Sequence, residues 1–218
     1  MVYSREPVLR DAVTDTWCAG SWEDFLALAD APAYERGRFY YHQGYMRVEM
    51  AAVGPRHGRL NSIVSYLVVL FAALNNIPIV QFVNTSFRKA GLQEFQPDLA
   101  FYIGSGLRVP PESNSPVDLN ECDPPTLVVE VGATSISDDL GRKRLLYERA
   151  GVREYWVVDT NAREAIAFEI SQGRSGEIQE SLVLPGLWIA LVEEALTRSQ
   201  TQDDGEINRW LLQTFMGN

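Results

Sequence analysis

The sequence predicts a mixed α/β fold, an α+β arrangement in which helices flank a mixed sheet and a hairpin comes first. Three observations carry this reading. Short runs of branched and aromatic residues recur as strand signals from residue 39 to residue 184. A long apolar stripe with helical spacing separates the first strand pair from the next. A continuous Leu127-Val128-Val129 run then precedes a second helical segment and another apolar strand, giving the order β-β-α-β-β-β-β-α-β. The chain has 218 residues, 46% hydrophobic and 22% charged, which excludes collagen-like, low-complexity and largely disordered chains. Its length fits one domain over 1–218 better than two independent ones.

Residues 1–20 read as a loose lead-in. Ser21 opens a short helix, with Asp24 placed for a capping box and Trp22, Phe25, Leu26 and Leu28 to bury. Residues 39–42 and 45–50 form a hairpin joined at Gln43-Gly44. Gly54-Pro55 starts a helix that runs to about residue 74, with Leu60, Val64, Leu67, Val68, Phe71 and Leu74 on its apolar stripe. Asn75-Asn76 ends it. Strands are predicted over 77–83, 85–89 and 95–103, with Ala90-Gly91 turning the second into the third. Pro110-Pro111, Ser113-Asn114-Ser115-Pro116 and Pro124-Pro125 make 104–124 a surface loop. Residues 126–131 are a buried strand, and a helix over 137–150 stops at Gly151. Residues 154–159 are a further strand, 166–170 and 178–184 a second hairpin, and two helices near 187–197 and 206–215 close the chain within a C-terminal region of 203–218.

Composition narrows the partners without choosing one. Nineteen basic residues against 29 acidic ones give a net charge of −10, whereas duplex-binding modules draw their affinity from a basic excess. Arg142, Lys143, Arg144, Arg149 and Arg153 concentrate positive charge at 142–153, as a phosphate-facing patch or as a solvated helix face. Two cysteines, Cys18 and Cys122, are too few for a disulfide framework and imply reduced thiols and a cytoplasmic setting. The N-terminus carries no apolar signal core, and the apolar run inside 63–74 is short of the ~20 residues that cross a bilayer. No membrane partner is expected.

Four residues sit where packing would not put them. Glu130 interrupts an otherwise apolar strand, as a site carboxylate or as a strand-end acid bridging to an arginine. Asp98 follows Pro97, which removes a ladder donor and bends the chain. Lys143 projects from the same helical face as Ile136, Leu140, Leu146, Tyr147 and Ala150; it either meets an anion there or snorkels along the core edge. His57 lies on the apolar stripe of the long helix, as a satisfied buried histidine or as a site residue. Two carboxylates on neighbouring strands with a lysine on the following helix suit metal-assisted phosphodiester hydrolysis. In that chemistry Mg²⁺ or Mn²⁺ is held by oxygen ligands and the lysine orients or deprotonates water.

Gln96-Pro97-Asp98-Leu99-Ala100-Phe101, Leu127-Val128-Val129-Glu130-Val131, the run from Asp139 to Glu148 and Gly151-Val152-Arg153-Glu154-Tyr155-Trp156-Val157-Val158-Asp159 together resemble the Uma two family. This is a bacterial group of endonuclease-like proteins, abundant in cyanobacteria, within the PD-(D/E)xK restriction-endonuclease-like superfamily. Arg47-Val48-Glu49-Met50 and Gly54-Pro55-Arg56-His57 resemble its N-terminal hairpin and helix start. The likeness covers about 35–200. It implies a restriction-endonuclease-like core, Asp98 and Glu130 as metal ligands, and Lys143 as a catalytic lysine. Two departures stand out. Gly132 occupies the position two after Glu130 where the superfamily has its lysine, and Tyr40 stands near a position that many relatives fill with glutamate, leaving Glu49 as a candidate stand-in.

The function expected is a metal-dependent endonuclease acting on DNA. The alternatives are a nuclease-like protein that binds without cleaving, and a hydrolase of a smaller phosphate compound. A homodimer is expected from the resemblance and from apolar Trp210, Leu211, Leu212 and Phe215, which could equally pack within their own domain. Neutralising Asp98, Glu130 or Lys143 singly is expected to leave stability nearly unchanged, because clustered like charges repel.

Overall fold

The computed structural model describes residues 14–217; residues 1–13 of the expected lead-in and Asn218 lie outside them. The architecture is mixed α/β, with two six-stranded sheets where the sequence predicted one. Each sheet belongs to its own compact unit. Among the described residues, the first unit comprises 14–52 together with Ser86–Gln96 and Ser113–Asn120; the second comprises Val53–Thr85, Pro97–Glu112 and 121–217.

In the first unit, Cys18–Ala19 (β1) pairs with Tyr45 and Met46, so the end of the expected lead-in is an edge strand. Ser21 caps Trp22–Ala29 (α1) through the predicted capping box: its hydroxyl accepts the Asp24 N–H, and the Asp24 carboxylate accepts the Ser21 N–H at 2.9 Å. Arg38–His42 (β2) and Tyr45–Glu49 (β3) form the hairpin. Its turn places Gln43 at φ 51° and Gly44 at φ 79°, the left-handed pair that matches strand twist. Phe87–Lys89 (β5), Gln93–Phe95 (β6) and Val117–Asp118 (β8) complete the sheet in the order β1-β3-β2-β6-β5-β8. Phe25 and Leu28 of α1 pack on Tyr41, Met46 and Val48.

In the second unit, Pro55–Leu74 (α2) starts at Gly54 with Pro55 in the first turn, where its missing N–H costs nothing. By length and composition α2 could span a bilayer; here Leu60, Ile63, Val64, Leu67, Val68 and Phe71 line the unit's core. Leu74 leaves the predicted stripe and is exposed, because the helix ends at Asn75 and Asn76 turns left-handed at φ 55°. Ile79–Val83 (β4), Leu99–Ile103 (β7), Leu127–Gly132 (β9), Glu154–Asp159 (β10), Glu164–Ser171 (β11) and Arg174–Ile178 (β12) lie in the order β12-β11-β10-β9-β7-β4. Within this sheet the parallel pair is β9 and β10, joined by the helical crossover that parallel strands require.

Two predicted strands are corrected. The 95–103 segment is β6 and β7, in different sheets, because Pro97 offers no amide to either ladder. The 178–184 strand is the end of β12 followed by a loop that buries Leu184. Ile189–Arg198 (α5) and Asp204–Met216 (α6) join α2 over Leu99, Phe101, Leu127, Val129, Val131, Trp156 and Val158. Phe215 meets Phe71 edge-on at 5.1 Å, Leu211 is buried and the Arg198 guanidinium covers Trp210 at 4.3 Å. The apolar residues that raised a homodimer therefore pack largely within their own unit. Both cysteines are free thiols.

Candidate functional site

Alternation along a strand sends successive side chains to opposite faces. With Val129 and Val131 committed to the core, Glu130 must face the other way. A helical segment covers that opposite face, made of Ile136–Asp138 (α3), a wide π turn at Asp139–Lys143 and Arg144–Ala150 (α4), which ends at Gly151 with φ 84°. The sequence predicted one regular helix here. The π turn changes which side chains are buried: Asp139 and Lys143 are enclosed with Leu146 and Tyr147, whereas Ile136 and Leu140 are only half-buried. Single π turns inside helices are frequent at functional sites.

Asp98 is the residue before β7. The antiparallel register that pairs Leu99 with Val129 sets it opposite Glu130. Directly opposed residues share a face of the sheet, with Cβ atoms about 4.5–5.5 Å apart. One Asp98 oxygen accepts the Val131 N–H at 2.8 Å. The other lies 3.2 Å from His57 Nε2, on the first turn of α2, close enough for an ion pair though not aligned as a hydrogen bond. Glu130 Oε1 accepts the Tyr147 hydroxyl at 2.5 Å, and Oε2 lies 3.5 Å from Lys143 Nζ. The amine is nearer still to Asp139 Oδ1, at 3.0 Å. Asp139 Oδ2 accepts the Ser135 hydroxyl at 2.7 Å, and its main-chain carbonyl accepts the Tyr155 hydroxyl at 3.0 Å. The Tyr147 and Tyr155 rings lie against each other with centroids 4.7 Å apart. Asp98, Glu130, Asp139 and Lys143 are each 2% exposed or less.

Of the predicted site residues, the structure thus gathers Asp98, Glu130, Lys143 and His57 in the second unit. Lys143 does not snorkel, since its amine is enclosed, and Glu130 meets that lysine. Glu49 belongs to the first unit, where Arg38 at 3.1 Å and Arg47 at 3.0 Å take its charge. Tyr40 donates to the Gln96 carbonyl at 2.8 Å. The residues missed are Asp139, Ser135, Tyr147 as a donor to Glu130, and Tyr155. An acid four residues before Lys143 was the signal for Asp139, because that spacing puts both on one side of a helical turn.

Among the described residues, no group of three or more His, Cys, Asp and Glu side chains is arranged to hold a metal ion. The carboxylates of Asp98 and Glu130 are a pair. Glu154 and Glu94 are buried as well. Burial pushes the Glu154 carboxyl above its ordinary value, against hydrogen bonds from Trp156, Ser181 and the Val183 and Leu182 amides that favour the charged form. Burial likewise raises Glu94, opposed by its contact with Arg88.

The fold is shared with a known class. It matches the crystal structure of a protein from Anabaena variabilis described as a "putative nuclease", with a TM-score of 0.55 and 18% identity, covering 81% of this chain and 98% of that one. No curated protein matches the sequence. The model of the Uma2 family, described as "putative restriction endonuclease", matches residues 22–204, and the chain belongs to that family.

Proposed function

We propose that the protein is a metal-dependent nuclease that hydrolyses phosphodiester bonds in DNA. The observation that carries this reading is the buried Asp98/Glu130 pair, opposed across β7 and β9, with the Lys143 amine beside Glu130. Family membership supports the nuclease class. The donor set fits Mg²⁺ or Mn²⁺: both are hard ions that accept carboxylate oxygens, and Mg²⁺ is usually held by one or two carboxylates with the remaining positions left to water and phosphate. Asp98 and Glu130 would be the protein ligands. Such an ion supplies Lewis acidity at a phosphoryl oxygen and lowers the pKa of bound water.

The chain's own residues supply the rest. Val131 N–H fixes one Asp98 oxygen and Tyr147 fixes one Glu130 oxygen, so both carboxylates are oriented before any ligand arrives. Lys143 Nζ is a point charge beside Glu130, suited to offset charge on the phosphoryl oxygens and to hold the attacking water. His57 bears on the far oxygen of Asp98. One rival reading has a specific basis: Gly132 where the superfamily carries lysine and a net charge of −10 favour a protein that binds without cleaving.

The test is plasmid nicking beside thermal melts, each with Mg²⁺, Mn²⁺ or chelator. Wild type is expected to nick DNA only with metal. Metal at a hundredfold excess over Kd should add about 2.7 kcal/mol of stability. At this chain length that is a rise of roughly 5–10 °C in Tm. Asp98→Asn and Glu130→Gln should lose both effects, whereas Lys143→Met should lose cleavage by about 10²–10⁴-fold and keep metal binding. Wild type that is inert with both metals and gains no stability from either would refute the proposal.

A further inference from the structure

Lys143 is a long, flexible side chain whose amine sits closer to Asp139 than to Glu130, at 3.0 Å against 3.5 Å. Asp139 is itself held: Ser135 donates to its second oxygen and Tyr155 to its main-chain carbonyl. All of these contacts cluster on the one π turn that interrupts the helix. Strand β9 has made room for them. A Cβ placed on Gly132 would lie 2.4 Å from Ser135 Oγ and 3.0 Å from Asp139 Oδ2, so no side chain fits at that position while Ser135 and Asp139 keep their places. The space beside the strand, where a lysine two residues after Glu130 would start, is taken by Ser135 and by the acid that pairs with a lysine arriving from the helix.

We infer that Asp139 is the positioning residue that fixes the Lys143 amine beside Glu130, with Ser135 holding Asp139 in turn. This rests on the hydrolase reading for its catalytic meaning, but the placement of the amine can be read without any activity. The chain has only two lysines, Lys89 and Lys143, so lysine labelled with ¹³C and ¹⁵N gives two side-chain signals with Lys89 as internal control. In wild type the Lys143 methylene protons next to the amine should be inequivalent, as in an immobilised side chain. In Asp139→Asn they should move toward the averaged values of a mobile lysine while Lys89 stays put. Cleavage by that variant should fall about 10–100-fold in kcat, the usual loss on removing an orienting partner, with KM near the wild-type value. Asp139→Glu should restore part of both readouts, and Ser135→Ala should shift them in the same direction by less. Unchanged Lys143 signals in Asp139→Asn would overturn the inference whatever the activity. If that variant fails to fold, unchanged signals in Ser135→Ala do the same. Wild type that never cleaves removes the nuclease reading, and the lysine spectra still decide the positioning.

Discussion

Removing the Lys143 cation should cost far more stability than its sequence context implied. Lys143→Met keeps most of the side-chain volume and deletes one charge. At an effective dielectric near 20, unit charges at the observed separations attract by about 5.5 kcal/mol for Asp139 and about 4.7 kcal/mol for Glu130. Desolvation of the amine offsets part of this, and the cost of breaking a buried pair by removing one partner is about 3–5 kcal/mol. The sequence-based expectation of near-neutrality counted only repulsion between carboxylates. It left out that the amine is 1% exposed and lies between two of them. For a chain of this length the loss corresponds to roughly 6–20 °C in Tm. The assay is thermal unfolding in chelator, repeated with Mg²⁺ and with the double variant Lys143→Met/Asp139→Asn. Metal should restore stability to Lys143→Met, because it again supplies a cation to the acidic cluster. The double variant should be more stable than the two single costs add up to, by about 0.5–3 kcal/mol of coupling. A Lys143→Met protein that melts together with wild type in chelator would refute the reasoning.

Gly132 and Glu154 give two further tests. Gly132→Ala should destabilise by about 1–3 kcal/mol, the usual penalty of overpacking, and Ser135→Ala in the same chain should recover part of it; urea melts of the single and double variants check this, and additive losses would contradict it. Glu154 has a folded pKa raised above its ordinary 4.5, with desolvation as the largest cause. Its contribution to stability is therefore fully present below the unfolded value and is lost as pH rises through the folded one. The cost of Glu154→Gln should accordingly be greatest in acid and shrink as pH rises from about 4.5 toward neutrality. Urea melts across that range give the difference, and a cost that grows with pH would show the hydrogen bonds to the carboxylate outweighing its burial.

What the sequence made legible were features whose cause is local. Ser21 and Asp24 are three residues apart and cap one helix; Gln43-Gly44 can adopt the left-handed turn by themselves. Glu130 was legible because a carboxylate in an apolar strand is costly wherever the strand lies, and Asp98 because Pro97 bends the chain just before it. The failures needed partners from elsewhere. Pro97 was visible, but that it divides 95–103 between two sheets depends on where the ladders on each side lead. Leu182, Val183 and Leu184 read as a strand, yet the first two donate their amides to Glu154, 28 and 29 residues away, and the third donates to the Ser181 hydroxyl. Asp139 was missed because helical periodicity was read through apolar residues alone, and a π turn leaves no apolar trace.

The net charge of −10 also reads differently once burial is known. Glu49, Glu94, Asp98, Glu130, Asp139 and Glu154 are all buried, against Arg47 and Lys143 among the buried cations. Part of the acidic count is thus internal, and most of that part is already answered: Glu49 by two arginines, Glu94 by Arg88, Glu130 and Asp139 by Lys143, Glu154 by amides and an indole N–H. A polyanion approaching the protein meets surface charges first, and exposed charges beyond about 10 Å are screened at 0.1 M salt. A divalent ion on Asp98 and Glu130 would cancel two further negative charges where a phosphate must come closest. The 29 acids therefore do not weigh alike against a nucleic-acid partner: among the described residues Glu49, Glu94 and Glu154 are buried with cations or N–H donors already beside them.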